Sequence, residues 1–173
     1  LIVQRAGLPD CVTAQTVNRY CSSGLQTIAT AANAIRCGEE DVVIAGGVES
    51  MSLVPMLVGA EDADPWLAEH RPEVYTTMGI TAENVARQWG ISRADMDAMA
   101  VESHRRAAQA QAGGCFDGQI IPITVPGPDG GEVVVCRDEG IRPGTTAETL
   151  AGLKPCFLEN GSVTAATSSQ MTD

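Results

Sequence analysis

The stretch from Val12 to Ile35 constrains the fold most, because a strand pattern changes into a helix pattern around one cysteine. Residues 12–17, Val-Thr-Ala-Gln-Thr-Val, are rich in β-branched side chains, which is typical of a strand. From Ser22 onward apolar residues recur at helical spacing, at Leu25, Ile28, Ala29, Ala32 and Ile35. Small residues on the other sides admit close neighbours. The pattern predicts a helix that is buried nearly all round, with Cys21 at its N-terminus.

Cys21 is the first candidate for a chemical role. The unpaired N–H groups and the positive dipole end at a helix N-terminus favour a thiolate over a thiol. Nucleophilic catalysis by cysteine requires that thiolate. A free cysteine more usually packs as a small hydrophobe, however. Spacing by itself therefore leaves both a catalytic and a packing role open for Cys21.

The order of elements predicts an α/β protein. Strand, helix and strand over residues 12–45 indicate a βαβ unit with a right-handed crossover. After Met51, prolines and aspartates interrupt regular structure. Two helices follow, one over about 82–89 and one that opens at Ser92, with Asp95 as a capping signal and Gly113-Gly114 as its end.

The remaining pattern of the chain predicts a hairpin and one common face of a helix. Residues 119–136 read as strand, turn and strand. The helix that opens at Ser92 should present one face, composed of Met96, Met99, Ala100, Ser103 and Ala107. His70 and His104 fall in no motif of known chemistry, and a structural role is expected for both.

Composition excludes several classes of function. The formal net charge of -11 leaves no basic stripe to neutralise the phosphates of a nucleic acid. The six cysteines form no CxxC pair and no histidine stands at zinc-ligand spacing, so no metal site is predicted. No apolar run is long enough to span a bilayer. Reduced thiols and a cytoplasmic location are expected, while the absence of an initial methionine leaves a targeting segment open.

Four separated segments resemble one known family, the thiolases. Residues 17–26, Val-Asn-Arg-Tyr-Cys-Ser-Ser-Gly-Leu-Gln, match the V-N-R-x-C-S-S-G-L-Q segment that holds the acyl-accepting cysteine of that family. Residues 41–52, 78–86 and 138–143 match further family segments in the same order. The resemblance covers nearly the whole chain and is weakest between about Leu57 and Thr76.

The resemblance implies part of an α/β, thiolase-like fold. Residues 1–52 would belong to the N-terminal βαβ core domain with its nucleophile helix. Residues 53–135 would form the inserted loop domain, which in thiolases covers the active site and helps to build the tetramer. Residues 136–173 would return to the core and begin a truncated C-terminal domain. The chain would then be an internal fragment, inactive by itself, of an enzyme that forms a homodimer or homotetramer.

The resemblance also assigns roles to five residues. Cys21 would be the nucleophile and Met78 would line the acyl pocket. Arg142 would meet the nucleotide end of coenzyme A, which suits a guanidinium. Thr149 and Ser169 would place hydroxyls against the cofactor, Ser169 near the pantetheine amide. The ordinary alternatives for the last four are a core methionine, a surface salt bridge and a helix cap or turn.

Two departures from the family pattern qualify these expectations. Thr77 stands where the acetoacetyl-CoA-specific branch commonly has a histidine, which favours a 3-ketoacyl-CoA thiolase of broader chain length. Ala166 and Thr167 replace the Gly and Asn of a Thr-Ala-Gly-Asn-x-Ser segment. Because alanine tolerates fewer backbone angles than glycine, the turn before Ser169 is expected to differ.

The implied reaction is thiolytic cleavage of a 3-ketoacyl-CoA by CoA through a Cys21 acyl-enzyme, or the reverse Claisen condensation. Acyl-CoA and CoA are substrates, and no permanently bound cofactor is expected. In thiolases the histidine base, a second cysteine and the oxyanion asparagine come from the C-terminal domain, beyond Asp173. The alternatives are an acetoacetyl-CoA-specific acetyl-CoA acetyltransferase, a ketosynthase of the same superfamily and a non-catalytic assembly subunit with this fold.

Overall fold

The computed structural model describes residues 1–54 and 62–171. The chain divides into two compact units, one of Leu1–Met56 with Thr172–Asp173 and one of Leu57–Met171. The three-part division expected from the family resemblance stays a prediction.

The first unit contains the predicted helix. Its elements are a short helix α1 (Ile2–Arg5), a 3-10 turn (Tyr20–Ser22) and helix α2 (Ser23–Cys37). Helix α2 ends at Gly38, which has a φ of 73°, a left-handed conformation that glycine adopts at little steric cost. The N–H groups of Gly38 and Glu39 donate to the carbonyls of Ile35 and Ala34. Local sequence therefore sets the C-terminal end of α2.

The strands predicted on either side of α2 are not formed. Residues 12–19 and 42–50 have no regular secondary structure. A strand requires a neighbouring strand to complete its hydrogen-bond ladder, and neither segment has a ladder partner among the described residues. The prediction of a complete βαβ unit over residues 12–45 is therefore wrong for the described part of the first unit.

The predicted burial of α2 is also wrong for the described residues. Leu25 and Ile28 are 72% and 58% exposed, and Ile35 is exposed as well. Apolar spacing identifies the helix face that gains from burial, but it does not specify which other element covers that face.

The second unit is richer in helices. In chain order it contains α3 (Pro65–His70), a 3-10 turn (Pro72–Tyr75), α4 (Met78–Trp89), α5 (Arg93–Ala112), β1 (Ile123–Pro126), β2 (Glu132–Val135), α6 (Ala147–Ala151) and a 3-10 turn (Ala165–Thr167). Helix α4 begins four residues earlier than the sequence predicts. None of the helices in the described ranges is both long and apolar enough to cross a membrane.

Helix α5 confirms the predicted capping signal. The Ser92 hydroxyl accepts from the Asp95 N–H at 3.1 Å, and Asp95 Oδ2 accepts from the Ser92 N–H at 3.2 Å. The reciprocal pair satisfies two N–H groups that the first turn cannot pair internally. The helix ends at Ala112, next to Gly113-Gly114, as the sequence predicts.

The predicted hairpin is present but shorter. Strands β1 and β2 pair antiparallel, with Ile123 opposite Val135 and Pro126 opposite Glu132. The turn closes with a hydrogen bond of 2.7 Å from the Gly127 N–H to the Gly131 carbonyl.

The core of the second unit lies between α4, α5, α6 and the segment after residue 154. Among the described residues the buried apolar side chains are Ala86, Ala100, Leu150 and Val163. The face predicted for α5 is only partly right: Ala100 is buried, whereas Met99 is 68% exposed. Asp97, which the predicted face did not include, is also buried. Its carboxylate can lie there because it forms an ion pair with Arg93.

Candidate active site

Cys21 lies in the 3-10 turn that leads directly into α2, and it is exposed. The residue before it, Tyr20, has a φ of 48° and is the one non-glycine residue with positive φ in the described part of the chain. A non-glycine residue in the left-handed region costs about 1–2 kcal/mol. The turn that carries Cys21 is therefore strained and needs other contacts to hold it.

Polar side chains of the surrounding motif supply those contacts. Asn18 Oδ1 accepts from the Tyr20 N–H at 2.9 Å. The Ser23 hydroxyl accepts from the Arg19 N–H at 2.9 Å and donates to the Tyr20 carbonyl at 2.7 Å. Arg19 Nη1 donates to Gln26 Oε1 at 2.7 Å, which ties the turn to the first turns of α2. Asn18, Arg19, Ser23 and Gln26 of the segment 17–26 thus have a structural role, because their hydrogen bonds fix the turn that carries Cys21.

Met78 is the first residue of α4 and is 73% exposed. Gly79 follows it, and a Cβ at this position would overlap the Phe157 ring. The Met-Gly pair therefore allows an aromatic ring to lie against the start of α4. The role of Met78 in an acyl pocket stays a prediction.

Arg142 is exposed, and its backbone is held at two points. Its N–H donates to His104 Nδ1 on α5 at 3.2 Å. Its carbonyl accepts from the Thr145 hydroxyl at 2.8 Å. His104, for which the sequence predicts a structural role, thus contacts the segment that carries Arg142. Contact of the guanidinium with coenzyme A stays a prediction.

The Thr149 hydroxyl takes part in a helix cap. It accepts from the Thr146 N–H at 3.0 Å and donates to the Thr146 carbonyl at 2.9 Å, at the start of α6. This is the ordinary alternative considered for Thr149. A contact between Thr149 and the cofactor remains an untested prediction.

Ser169 is exposed and follows the 3-10 turn Ala165–Thr167. Two hydroxyls hold this turn against the backbone of Thr164, which is fully buried. Thr167 Oγ1 accepts from the Thr164 N–H at 3.0 Å, and the Ser168 hydroxyl donates to the Thr164 carbonyl at 2.8 Å. Thr167, which departs from the family pattern, therefore has a role in closing the turn before Ser169.

Four of the five predicted residues, Met78, Arg142, Thr149 and Ser169, belong to the second unit, and Cys21 belongs to the first. None of the four lines the open groove of about 580 Å³ that lies beside the hairpin, between Phe116, Ile120, Ile123 and Val135. No cluster of His, Cys, Asp and Glu within residues 1–54 and 62–171 could hold a metal ion. A common site for the five residues stays a prediction.

Sequence reasoning missed Glu83, a carboxylate on α4 that is only 5% exposed. Glu83 Oε1 accepts from the N–H groups of Ser162 and Val163, both at 2.8 Å, and Oε2 accepts from the Ser162 hydroxyl at 3.0 Å. A signal was present, because Glu83 shares the face of the buried Ala86 three residues later. An acidic residue on an apolar helix face indicates a buried partner.

The pKa of Glu83 reflects two opposing effects. Burial raises it, but the hydrogen bonds from Val163 and Ser162 and the positive charge of Arg87 together hold the pKa below its ordinary value of 4.5. The carboxyl group is therefore ionised at neutral pH and accepts every one of these hydrogen bonds.

This shift predicts a pH dependence of stability. Because the folded-state pKa is the lower one, the contribution of Glu83 is complete above the ordinary pKa of 4.5 and is lost as pH falls further. We expect the free energy of unfolding, measured by urea denaturation, to fall less steeply below this pH in Glu83→Gln than in the wild type. Parallel slopes would contradict the prediction.

The slope of the wild type by itself does not isolate Glu83, because hydrogen bonds also lower the pKa values of four other carboxylates in the folded state. These are Glu73, Asp95, Glu102 and Glu148. These groups are present in both proteins, so the difference between the slopes isolates Glu83.

Comparison with known proteins identifies the family. The family model described as "Thiolase, N-terminal domain" matches residues 2–173. The chain belongs to the thiolase family. It is 51% identical over 176 residues to the 3-ketoacyl-CoA thiolase of Bacillus subtilis (strain 168), covering 97% of this chain and 45% of that protein. It is 40% identical over 185 residues to a probable acetyl-CoA acyltransferase of Staphylococcus aureus (strain COL), covering 100% of this chain and 47% of that protein.

Solved structures support the same assignment. The acetyl-CoA acetyltransferase of Bacillus anthracis has a TM-score of 0.78 and 42% identity, covering 94% of this chain and 44% of that chain. The dimeric peroxisomal thiolase of Saccharomyces cerevisiae has a TM-score of 0.82 and 36% identity, covering 94% and 42%. The α/β thiolase-like fold is confirmed. This chain spans about half the length of the curated relatives it matches.

Proposed function

We propose that this chain is the nucleophile-bearing part of a thiolase that cleaves 3-ketoacyl-CoA with CoA, or runs the reverse condensation. The observation that carries the proposal is the exposed Cys21, held at the start of α2 by a strained turn and the hydrogen bonds of its motif. Strain in a turn that the surrounding structure over-determines is typical of functional sites. Membership of the thiolase family gives that cysteine its chemical context.

The proposed reaction proceeds in two halves. The Cys21 thiolate attacks the keto carbon, the bond between this carbon and the α-carbon breaks, and acetyl-CoA leaves as an enolate that takes up a proton. The thiol of a CoA molecule then loses its proton to a base and attacks the thioester carbonyl. The bond between the acyl carbon and the Cys21 sulfur breaks, which releases the Cys21 thiolate and a shortened acyl-CoA. We assign the histidine base, the acid and the oxyanion donor to regions of the thiolase outside these 173 residues. The chain is therefore expected to be inactive by itself.

The same proposal assigns substrate contacts within the second unit. Met78 would line the acyl pocket, Arg142 would meet the nucleotide end of CoA, and Ser169 would approach the pantetheine amide. Exposure of Met78, Arg142 and Ser169 is compatible with these contacts. The proposed contact of Thr149 with CoA has the least support, because the Thr149 hydroxyl already takes part in the cap of α6.

Substrate choice is proposed to follow the 3-ketoacyl-CoA branch rather than the acetoacetyl-CoA-specific one. Thr77 is the residue before α4, and its carbonyl accepts from the Thr81 N–H at 2.9 Å. A threonine here lacks the imidazole expected in the acetoacetyl-specific branch. The Bacillus subtilis relative, at 51% identity, carries the name 3-ketoacyl-CoA thiolase. We further propose a cytoplasmic homodimer or homotetramer; the yeast neighbour is described as dimeric.

The function is tested with the full-length protein, acetoacetyl-CoA and a series of longer 3-ketoacyl-CoA substrates. We expect CoA-dependent loss of the 3-ketoacyl-CoA, with longer chains accepted, and an acyl group on the Cys21 peptide when CoA is withheld after the first half-reaction. Acylation of another cysteine would contradict the assignment of Cys21. Absence of turnover with every CoA ester would favour the assembly subunit, and activity restricted to carrier-protein thioesters would favour a ketosynthase.

A further inference from the structure

Glu83 connects α4 to a segment far away in the sequence. It lies near the middle of α4, five residues after Met78, the first residue of that helix. Its hydrogen-bond partners, Ser162 and Val163, are 79 and 80 residues further along the chain. Ser169 follows this partner segment after six more residues. One carboxylate therefore links the helix that carries Met78 to the segment that leads to Ser169.

The partner segment is tightly placed around the carboxylate. A Cβ at Gly161 would overlap Glu83 Oε1, so the backbone approaches the carboxylate as closely as glycine allows. The Val163 carbonyl accepts from the Cys156 N–H at 3.0 Å, and Thr164 is fully buried. Movement of Glu83 would therefore shift the whole stretch from Gly161 to Thr164.

The chemistry of this contact calls for a carboxylate. Two consecutive backbone N–H groups and one hydroxyl donate to Glu83, and an ionised carboxylate offers acceptors on both oxygens. An amide of the same size has one acceptor oxygen, and its NH₂ group would face the Ser162 N–H, which also donates to Oε2 at 3.0 Å and, unlike the Ser162 hydroxyl, cannot accept. Since the site is buried, an unmatched donor there is not compensated by water.

We propose that Glu83 is a positioning residue for coenzyme A: it sets the distance between α4 and the segment that ends at Ser169, and thereby the affinity for CoA. The inference rests on the proposed function for the role of Ser169. Glu83 acts through Ser162 and Val163 and not on the reacting atoms. The turn that carries Cys21 is held by a separate set of local hydrogen bonds, none of which involves Glu83.

The test compares Glu83→Gln with Glu102→Gln in the full-length protein. Glu102 lies on α5 in an exposed ion pair with Arg105 and Arg106, so the control makes the same chemical change outside the contact. For Glu83→Gln we expect the KM for CoA and the calorimetric Kd for CoA to rise about tenfold or more, because a small misplacement is costly for binding geometry. We expect kcat and the rate of Cys21 alkylation by iodoacetamide to change less than about twofold.

A second variant covers the case in which Glu83→Gln does not fold. Ser162→Ala removes the hydroxyl donor but leaves both N–H donors, and it should raise the Kd for CoA by a smaller factor. The inference is overturned if CoA affinity in a folded Glu83→Gln or Ser162→Ala protein equals that of Glu102→Gln. It is also overturned if kcat and alkylation fall together with affinity, as a general loss of structure would cause.

The two readouts separate this inference from the proposed function. A wild-type protein that binds CoA but does not cleave 3-ketoacyl-CoA refutes the proposed function, and the Kd comparison still decides the role of Glu83. A wild-type protein that binds no CoA refutes both. Normal turnover in the wild type together with an unchanged Kd in Glu83→Gln refutes the positioning role only.

Discussion

Replacement of Cys21 by serine is expected to lower the rate of 3-ketoacyl-CoA thiolysis by a factor of about 10⁴ or more. A serine hydroxyl is not ionised near neutral pH, so the attacking anion is lost, while the shape of the side chain and the turn around it are retained. The measurement is steady-state thiolysis by the full-length variant, with mass spectrometry of the 17–26 peptide to detect the acyl group.

The matched control is Cys37→Ser. Cys37 is the last residue of the same helix, α2, and is also exposed. Its replacement is expected to leave the rate within about twofold of the wild type. The assignment of the nucleophile fails if Cys21→Ser keeps most of the activity, or if Cys37→Ser loses as much activity as Cys21→Ser.

Replacement of Arg93 by methionine is expected to lower the free energy of unfolding by about 3 kcal/mol. The Arg93 and Asp97 side chains are 26% and 11% exposed, and Arg93 Nε donates to Asp97 Oδ2 at 2.7 Å. Arg93 Nη2 also donates to the carbonyls of Leu150 and Leu153, at 2.7 and 3.2 Å. Without the guanidinium, a largely buried carboxylate loses its cation, and the carbonyls of Leu150 and Leu153 lose a charged donor. Urea denaturation at neutral pH measures the effect.

Two further variants show whether the unpaired charge is the cause. Arg105→Met removes another arginine of α5 from an ion pair whose arginine side chain is 58% exposed, and it should destabilise the protein far less. The double variant Arg93→Met with Asp97→Leu should be more stable than Arg93→Met, since it removes the stranded carboxylate as well. Equal losses for Arg93→Met and Arg105→Met would refute the explanation.

Much of the local structure could be predicted because its causes lie within a few residues. The Ser92 and Asp95 capping pair joins residues three apart, and the glycines after α5 end it directly. Residues 119–136 contain both strands of the hairpin and the turn between them, so its pairing is local too. The family resemblance was equally accessible, because it rests on contiguous segments such as residues 17–26. The polar residues around Cys21 also contact one another within that segment.

Other features could not be read from the pattern. The segments around α2 have strand composition, but a strand forms only with a ladder partner, which these segments lack among the described residues. The apolar positions of α2 predict a buried face, yet Leu25 is 72% exposed. Composition and spacing state what a segment can form, and the presence of a neighbour decides whether it forms.

The sequence by itself determined most of α4, the capped start and the end of α5, the hairpin, helix α2 after Cys21 and membership of the thiolase family. Each depends on short-range spacing, caps or a contiguous motif. Only the tertiary structure decided that Glu83 binds Ser162 and that Arg93 binds the end of α6, across 79 and 57 residues. The physical reason is that a buried charge is stable only beside specific partners, and chain folding, not local pattern, determines which distant groups become those partners.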